Sequence, residues 1–171
     1  MGDPRKKHKK YARPRKQFET VRIKEEDSLI SKYGLKNKKE IWKAEFRINK
    51  IRKQAKDSIN KPQQAGQIVS KLNNLGFKVS AVDDILALTK EDLLERRLQT
   101  VLARKGLAKT LKEARQLIVH KHIRVDKNIV NIPSFIVSLS NEDKISVVKV
   151  KNKEKTVAIK EPEQSGNLEE K

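Results

Sequence analysis

The chain has 171 residues, with 41 Lys and Arg against 22 Asp and Glu, so its formal net charge is +19. Solubility requires a net charge of only about 2–8, and an excess this large favours a polyanionic partner such as nucleic acid. The sequence contains no cysteine, which excludes disulfides, thiol catalysis and cysteine-ligated zinc. No apolar run approaches the ~20 residues of a membrane span, and the basic N-terminus lacks the apolar segment of a secretory signal. We therefore expect a cytoplasmic protein with no membrane partner.

Residues 1–23 form a strongly basic segment with two prolines and no helical or strand period. Its apolar surface is too small to offset the entropy of ordering, so we expect an extended arm that becomes ordered on RNA phosphates. The alternative is a disordered tail that only improves solubility. The arm cations expected to bind RNA are Arg5, Lys6, Lys7, Lys9, Lys10, Arg13 and Arg15.

Residues 24–93 are predicted to form a helical N-terminal domain. A first short helix spans Lys24–Tyr33, and Asn37 is placed to cap a second helix that runs to Lys56. Glu40 has the spacing of a capping box with Asn37. Apolar residues recur in this second helix at intervals of three and four, so one side should pack and the others should stay basic. Its cations expected to bind RNA are Arg47, Lys50, Arg52 and Lys53.

Trp42, the sole tryptophan, lies at a packing position of this second helix and is predicted to belong to the core rather than to stack on a base. A break at 60–66 precedes two shorter helical stripes, Gln67–Leu75 and Ala81–Leu88. The second of these stripes contains the adjacent aspartates Asp83 and Asp84. Adjacent side chains point about 100° apart on a helix, so these two make a poor catalytic pair.

Residues 94–150 are predicted to form a small domain of two helices and an antiparallel sheet. One helix runs over 90–104 and is closed by Gly106, and Thr110 caps a second helix over 111–121. These helices should bring a set of cations onto one connected, solvent-facing surface that contacts phosphates. The cations are Arg96, Arg97, Arg104, Lys105, Lys109, Lys112 and Arg115, and the further expected RNA contacts are Gln116, His120 and His122.

A hairpin follows the second helix. Residues 126–128 fit a three-residue turn in which Asn128 takes a positive φ. Apolar runs at 136–139 and 145–150 should then complete the sheet. The last segment, 151–171, loses all periodicity and mixes both charges, so we expect it to be mostly disordered.

A catalytic centre, a metal site or a cofactor site is not expected. His120 and His122 would need two further ligands to hold zinc, and no acidic cluster lies near them in the sequence. They are expected to donate hydrogen bonds to the backbone or to phosphate. The sequence also has no glycine-rich phosphate loop of the Walker or dinucleotide type. We therefore predict a binding protein rather than an enzyme.

The segment ERRLQTVLARKGLAKTLKEARQLIVHKHIRVDKNIVNIP, residues 95–133, resembles the RNA-binding domain named after ribosomal protein four of the small subunit. That domain, also described as an alpha-L type motif, implies two helices packed on an antiparallel sheet and a role in binding RNA. The segments KKYARPRKQF, YGLKNKKEIWKAEFRINKIRK and LTKEDLLERRLQT resemble the archaeal and eukaryotic form of that ribosomal protein family. The resemblance covers residues 2–148, and it agrees with an α+β fold that is mainly α.

This resemblance implies a structural constituent of the small ribosomal subunit, located on cytoplasmic ribosomes. It implies primary binding of small-subunit ribosomal RNA at a junction in the 5′ domain, early in assembly, and support of translation. It also implies ribosomal protein five as a neighbour and raises messenger RNA as a further candidate partner. Two departures from the family pattern are Asp126-Lys127-Asn128 at the hairpin tip, where Asn-Gly is usual, and Lys121, where glycine is common.

Two other functions remain open from the residues. Because the same domain occurs in RNA-modifying enzymes, the chain could be such an enzyme or its RNA-targeting subunit, although it lacks an evident catalytic pocket. A basic protein that compacts DNA is the third reading, which a preference for DNA in competition experiments would support.

Overall fold

The computed structural model describes residues 9–148, and the expected disorder of 151–171 lies outside these residues. The described part contains eight helices and one small sheet. The helices are α1 (Thr20–Tyr33), α2 (Lys38–Asp57), α3 (Pro62–Asn74), α4 (Val82–Ala87), α5 (Lys90–Glu95), α6 (Leu98–Arg104), α7 (Leu111–Val119) and α8 (Leu139–Glu142). The strands are β1 (Ile123–Val125), β2 (Asn128–Ile129) and β3 (Ile145–Val147). They form an antiparallel sheet in the order β2-β1-β3. The predicted α+β, mainly α fold is confirmed.

The first core packs α1 to α5 around one side of α2. Asn37 caps α2, since its side-chain oxygen accepts a hydrogen bond from the Lys39 N–H at 2.9 Å. The buried side chains of α2 recur at helical spacing and meet α4 and α5. Trp42 packs against this core, as predicted, and its indole N–H donates to Glu26 Oε1 at 3.0 Å. The helical period therefore correctly predicted which side of α2 is buried.

Two helices of this half begin earlier than the sequence predicted. The helix expected from Lys24 begins at Thr20, so residues 20–23 belong to α1 and not to the predicted extended arm. The helix expected from Gln67 begins at Pro62, whose fixed φ suits a first helical position, so Gly66 lies inside α3 and not in a break.

The single helix predicted over 90–104 is wrong, because it is interrupted at Arg96 and Arg97. Arg97 is extended, with φ −69° and ψ 143°, and it pairs with Ile136 in an antiparallel bridge. The Leu98 N–H donates to the Phe135 carbonyl at 2.7 Å, and the Val137 N–H donates to the Arg96 carbonyl at 3.1 Å. This pairing with a distant segment outweighs the local preference for helix and separates α5 from α6.

The second core lies between α6, α7 and the sheet. Its fully buried side chains include Leu98 and Leu102 from α6, Ile118 from α7 and Ile123 from β1. Thr110 caps α7 as predicted, with its hydroxyl accepting from the Glu113 N–H at 3.1 Å. The buried side chains of the first core end at Leu94 in the chain and those of the second begin at Leu98, while the proposed division into domains at residue 94 stays a prediction.

Several details of the second half also differ from the prediction. The hairpin loop holds two residues, since Val125 pairs with Asn128, and the positive φ of 55° lies at Asp126 and not at Asn128. The run 136–139 is not a strand of the sheet, because Ile136 pairs with Arg97 and α8 begins at Leu139. The second helix ends at Val119, and Lys121 takes a left-handed φ of 63°. Within residues 9–148, no helix is long and apolar enough to cross a membrane.

Candidate nucleic-acid interface

The side of α2 that faces away from the core carries a row of lysines and one arginine. We call this row the α2 stripe, and all of its members are exposed: Lys39, Lys43, Arg47, Lys50 and Lys53. At about 100° per residue they occupy an arc of about 120°, opposite the buried Ile41, Ala44, Ile48 and Ala55. Among residues 9–148, no carboxylate forms an ion pair with any of the five. The α2 stripe is therefore a concentrated positive surface with its charges available to a ligand.

Arg52 was predicted to belong to this surface, and that placement is wrong. It projects from the opposite side of α2, where its Nη2 donates to the Leu88 carbonyl at 2.6 Å and its Nε is buried. Arg52 thus ties α2 to the end of α4. Arg47, Lys50 and Lys53 are exposed on the stripe as predicted, although their binding of RNA remains a prediction.

The N-terminal segment lies against α2 beside the stripe. The Tyr11 ring stacks on Trp42 with centroids 6.4 Å apart, and Lys39 Nζ lies 4.8 Å from the Tyr11 centroid. The Ala12 N–H donates to the Trp42 carbonyl at 3.3 Å. The segment is thereby anchored, and its cations Lys9, Lys10, Arg13 and Arg15 are exposed near the stripe. The predicted contacts Arg5, Lys6 and Lys7 lie outside the described residues.

Glu40 joins the two halves of the molecule. Its Oε2 accepts a hydrogen bond from Arg97 Nη2 at 2.6 Å, and its Oε1 accepts one from Arg115 Nη2 at 2.7 Å. Arg115 Nη1 adds longer contacts to Glu40 Oε2 at 3.3 Å and to the Gln99 amide oxygen at 3.5 Å. We call Glu40, Arg97 and Arg115 the junction cluster. It joins the first turn of α2 to the start of α6 and the middle of α7.

Burial and pairing act together on the charges of the junction cluster. Burial alone would raise the pKa of Glu40, but hydrogen bonds from Arg115 and Arg97 outweigh it and hold that pKa below its ordinary 4.5. Burial lowers the pKa of Arg97, and the pairing with Glu40 opposes this effect. The positive charges of Arg115 and Arg47 lower the Arg97 pKa further.

Arg96 and Arg97 were predicted on an exposed surface, and this placement is wrong. Only 8% of Arg96 and 4% of Arg97 is exposed. Arg96 donates from Nε to the Leu75 carbonyl at 2.9 Å, and from Nη2 to the Val137 carbonyl and to Glu142. Its guanidinium lies against Gly76, where an added Cβ would come within 2.5 Å. Both arginines hold packed segments together, and a sequence pattern of local spacing cannot reveal such distant partners.

The exposed surface that remains on the second half follows α7. Lys112 and Gln116 are exposed at a spacing of four, His120 continues the same side, and Lys109 is exposed just before the helix. His122 is half-buried, with its ring 6.2 Å from that of His120. We call Lys109, Lys112, Gln116 and His120 the α7 face. Because Arg115 of the same helix binds Glu40 of α2, the α7 face and the α2 stripe lie on neighbouring elements.

Two other predicted contacts are exposed but already paired. Arg104 Nη2 lies 3.6 Å from Glu95 Oε2, and Lys105 Nζ lies 3.1 Å from Asp143 Oδ1. Such exposed pairs are weak and exchange readily with another anion. Arg104 and Lys105 therefore remain predicted RNA contacts, although each would have to leave a carboxylate to bind a phosphate.

Comparison with known proteins agrees with this geometry. The S4 domain family matches residues 96–143, which include α6, α7 and the β1–β2 hairpin. "Small ribosomal subunit protein uS4" of Thermoplasma acidophilum is 44% identical over 156 residues, covering 85% of this chain and 78% of that protein. The proteins of the same name from Methanothermobacter thermautotrophicus and Methanococcus aeolicus are 43% and 47% identical. Each alignment covers 85% of this chain, and 89% and 87% of those relatives.

The chain belongs to the uS4 family of small ribosomal subunit proteins.

Membership of the uS4 family confirms the resemblance drawn from the sequence. The S4 domain match begins at Arg96, the residue at which α5 ends and the chain crosses to the second core. The match therefore includes Arg97 and Arg115 but not Glu40, which lies in the N-terminal half that precedes the domain. The contact through Glu40 is a contact between the S4 domain and the rest of this uS4-family chain.

Side chains of the types that bind metal ions are not clustered in the described part of the chain. Residues 9–148 hold no group of three or more His, Asp and Glu side chains placed to bind a metal ion. A groove between α2 and α3 is lined by Ile51, Gln54, Asp57, Gln67 and Leu72 among others, and no histidine lies among the lining residues.

Proposed function

We propose that this chain is a structural constituent of the small ribosomal subunit that binds small-subunit ribosomal RNA through the α2 stripe, the N-terminal segment and the α7 face. The observation that carries the binding surface is the α2 stripe, where five exposed cations stand without a carboxylate partner among residues 9–148. Each cation that neutralises a phosphate releases a condensed counterion, which favours binding without a requirement for base sequence. The identity to uS4 proteins supports ribosomal RNA as the polyanion.

The α2 stripe and the α7 face can recognise different parts of an RNA. Long cations of the α2 stripe can follow a phosphate backbone, whereas Gln116, His120 and the half-buried His122 can recognise sugar hydroxyls and backbone geometry. The proposed contacts are Lys9, Lys10, Arg13, Arg15, Lys39, Lys43, Arg47, Lys50, Lys53, Arg104, Lys105, Lys109, Lys112, Arg115, Gln116, His120 and His122. Arg96 and Arg97 are left out of this set because they are buried, and Arg52 because it projects from the opposite side of α2 and binds the Leu88 carbonyl.

The resemblance also supports finer proposals. It favours a junction in the 5′ domain as the RNA site, ribosomal protein five as a neighbour and messenger RNA as a further contact. It favours a structural role without catalytic activity, since the relatives are named as ribosomal proteins. Crosslinking within purified small subunits, followed by identification of the linked nucleotides and peptides, tests each of these neighbours separately.

The decisive experiment measures binding to small-subunit ribosomal RNA over a range of salt concentrations. The double substitution Arg47→Gln with Lys50→Gln should weaken binding by roughly 1–3 kcal/mol per lost contact. It should also reduce the slope of log affinity against log salt by about one for each phosphate contact. Both positions are exposed, so thermal unfolding should be nearly unchanged.

The matched control is Lys71→Gln with Lys78→Gln, which removes the same charge from exposed positions outside the proposed surface. It should change binding much less. Equal losses in the two double variants would show that net charge alone matters and that the α2 stripe is not the site. Tighter binding to DNA than to ribosomal RNA in competition would favour the DNA-compacting alternative instead.

A further inference from the structure

The junction cluster places an acidic side chain between two surfaces that are proposed to bind a polyanion. The Glu40 side chain is 17% exposed, and it accepts hydrogen bonds from a buried arginine and from a half-buried one. Arg97 and Arg115 lie 57 and 75 residues further along the chain. Near a phosphate-binding surface a carboxylate is unfavourable, because it repels the ligand and cancels a neighbouring cation. Its presence here therefore needs a different physical explanation.

Arg97 supplies that explanation. It is 4% exposed, and Glu40 is the carboxylate that pairs with it in the described part of the chain. A buried guanidinium without a counter-charge is strongly unfavourable, and separating the packed segments so that water reaches it would relieve that cost. Arg115 binds the second oxygen of the same carboxylate from α7. The single carboxylate thus links α2 to both helices of the second core.

We propose that Glu40 is a positioning residue that holds the α7 face at a fixed orientation to the α2 stripe, so that both contact one folded RNA at once. The cluster contributes to affinity by preorganisation. Without it the two surfaces would move relative to each other in the free protein, and stopping that motion on binding would cost entropy. The claim that both surfaces contact RNA rests on the proposed function, whereas the fixed orientation of the two surfaces is a property of the protein without RNA. Gln99 supports the same junction, because its amide donates to the carbonyls of Gly34 and Leu111 at 3.0 and 2.9 Å.

The direction in which Glu40→Gln changes the affinity for RNA distinguishes a positioning role from an effect of net charge. Glu40→Gln removes a negative charge from the protein, which by charge alone should strengthen binding to RNA. A positioning role predicts the opposite, a loss of roughly tenfold, together with a shallower salt dependence because fewer phosphates are contacted together. The matched control is Glu45→Gln on the same helix, an exposed glutamate without an ion-pair partner among residues 9–148. It removes the same charge and should bind RNA equally well or slightly better.

A distance measurement on the free protein tests the structural part directly. The sequence has no cysteine, so Ser70→Cys in α3 and Asn128→Cys in β2 provide two unique sites for spin labels. Both are exposed, and they belong to the first and second halves respectively. The distance distribution between the labels should be narrow in the otherwise unchanged protein and in Glu45→Gln, and broad in Glu40→Gln.

The possible results each decide a point. Unchanged or tighter RNA binding by folded Glu40→Gln, or a distance distribution as narrow as that of the control, would overturn the positioning role. If Glu40→Gln does not fold, Arg115→Gln replaces it in the distance measurement, because it leaves the Glu40–Arg97 pair neutral while removing the link to α7. A narrow distribution in that variant also overturns the proposal. Failure of the unmodified protein to bind ribosomal RNA contradicts the proposed function, and the distance measurement still tests the junction.

Discussion

At the scale of single residues, cations with the same formal charge serve different purposes in this molecule. Lys112 of α7 is exposed, whereas Arg97, at the start of α6, is buried and bound to Glu40 at 2.6 Å. A buried hydrogen-bonded charge contributes to folding, while an exposed cation on a helix contributes little to it and stays available to a ligand. The surroundings of each cation, and not its charge alone, decide whether it stabilises the fold or stays available to a ligand.

Two alanine substitutions should therefore affect different properties of the protein. Arg97→Ala should lower the free energy of unfolding by about 1–3 kcal/mol, because Glu40 loses one of its two hydrogen-bonded partners at a packed junction. Lys112→Ala should change stability by less than about 0.5 kcal/mol and should weaken RNA binding with a reduced salt slope. Urea unfolding and filter binding of both variants measure these effects. Wild-type stability in Arg97→Ala would show that the junction cluster contributes nothing to folding.

Single residues also show what the sequence could and could not predict. The caps Asn37 and Thr110 were predicted correctly, because a cap and its partner lie within three residues of each other. Glu40 was predicted to close a capping box with Asn37, but its carboxylate binds two arginines instead. Those partners are 57 and 75 residues away, so the spacing within one helix carries no information about them.

At the scale of elements, the two sides of α2 have different surroundings. Its buried side packs on α4 and α5, and its exposed side presents the α2 stripe. Such helices were predicted well, because a long amphipathic period is a property of the local sequence. The interruption between α5 and α6 was missed, since it depends on pairing with Ile136. The same pairing explains why 136–139 is not a strand of the sheet.

Two asparagines test the assignment of the α2 cap, since Asn37 precedes the helix and Asn49 lies inside it. Asn37→Ala removes the cap, which accepts the Lys39 N–H, and should lower stability by about 1 kcal/mol. Asn49 is an exposed residue in the middle of α2. Asn49→Ala should raise the free energy of unfolding by about 0.5 kcal/mol, because alanine has the higher helix propensity. Chemical denaturation followed by circular dichroism measures both. Effects of the same sign would contradict the assignment of Asn37 as the cap.

At the scale of the whole molecule, several polar contacts connect the two halves that hold the two cores. Arg96 reaches the end of α3 and the segment before α8, Gln99 reaches the end of α1, and Glu40 reaches α6 and α7. These contacts require good geometry and an ionised Glu40 to offset the cost of burying charge. The stability of the whole chain should therefore depend on the protonation state of this one carboxylate.

The direction of that pH dependence follows from the lowered pKa of Glu40 in the folded chain. The contribution of Glu40 is complete above its ordinary pKa of 4.5 and is lost as the pH falls through the lower folded-state pKa. The free energy of unfolding of the unmodified protein should therefore fall more steeply with acidification than that of Glu40→Gln. Urea unfolding at a series of pH values on either side of 4.5 measures the two slopes. Glu45→Gln should keep the steeper slope, and parallel curves for all three proteins would contradict the prediction.

The position of Glu40 in the chain also has a consequence for the order of events during synthesis. The buried members of the first core end at Leu94, before the first buried residue of the second core, Leu98, although the partly buried Ile136 packs against the first core from much later in the chain. Domains fold as units, and the N-terminal one folds first as the chain emerges. Glu40 cannot form its ion pairs until Arg97 and Arg115 have been added to the chain. Under the proposed function, the newly made chain would hold RNA with both surfaces only after the junction cluster has closed.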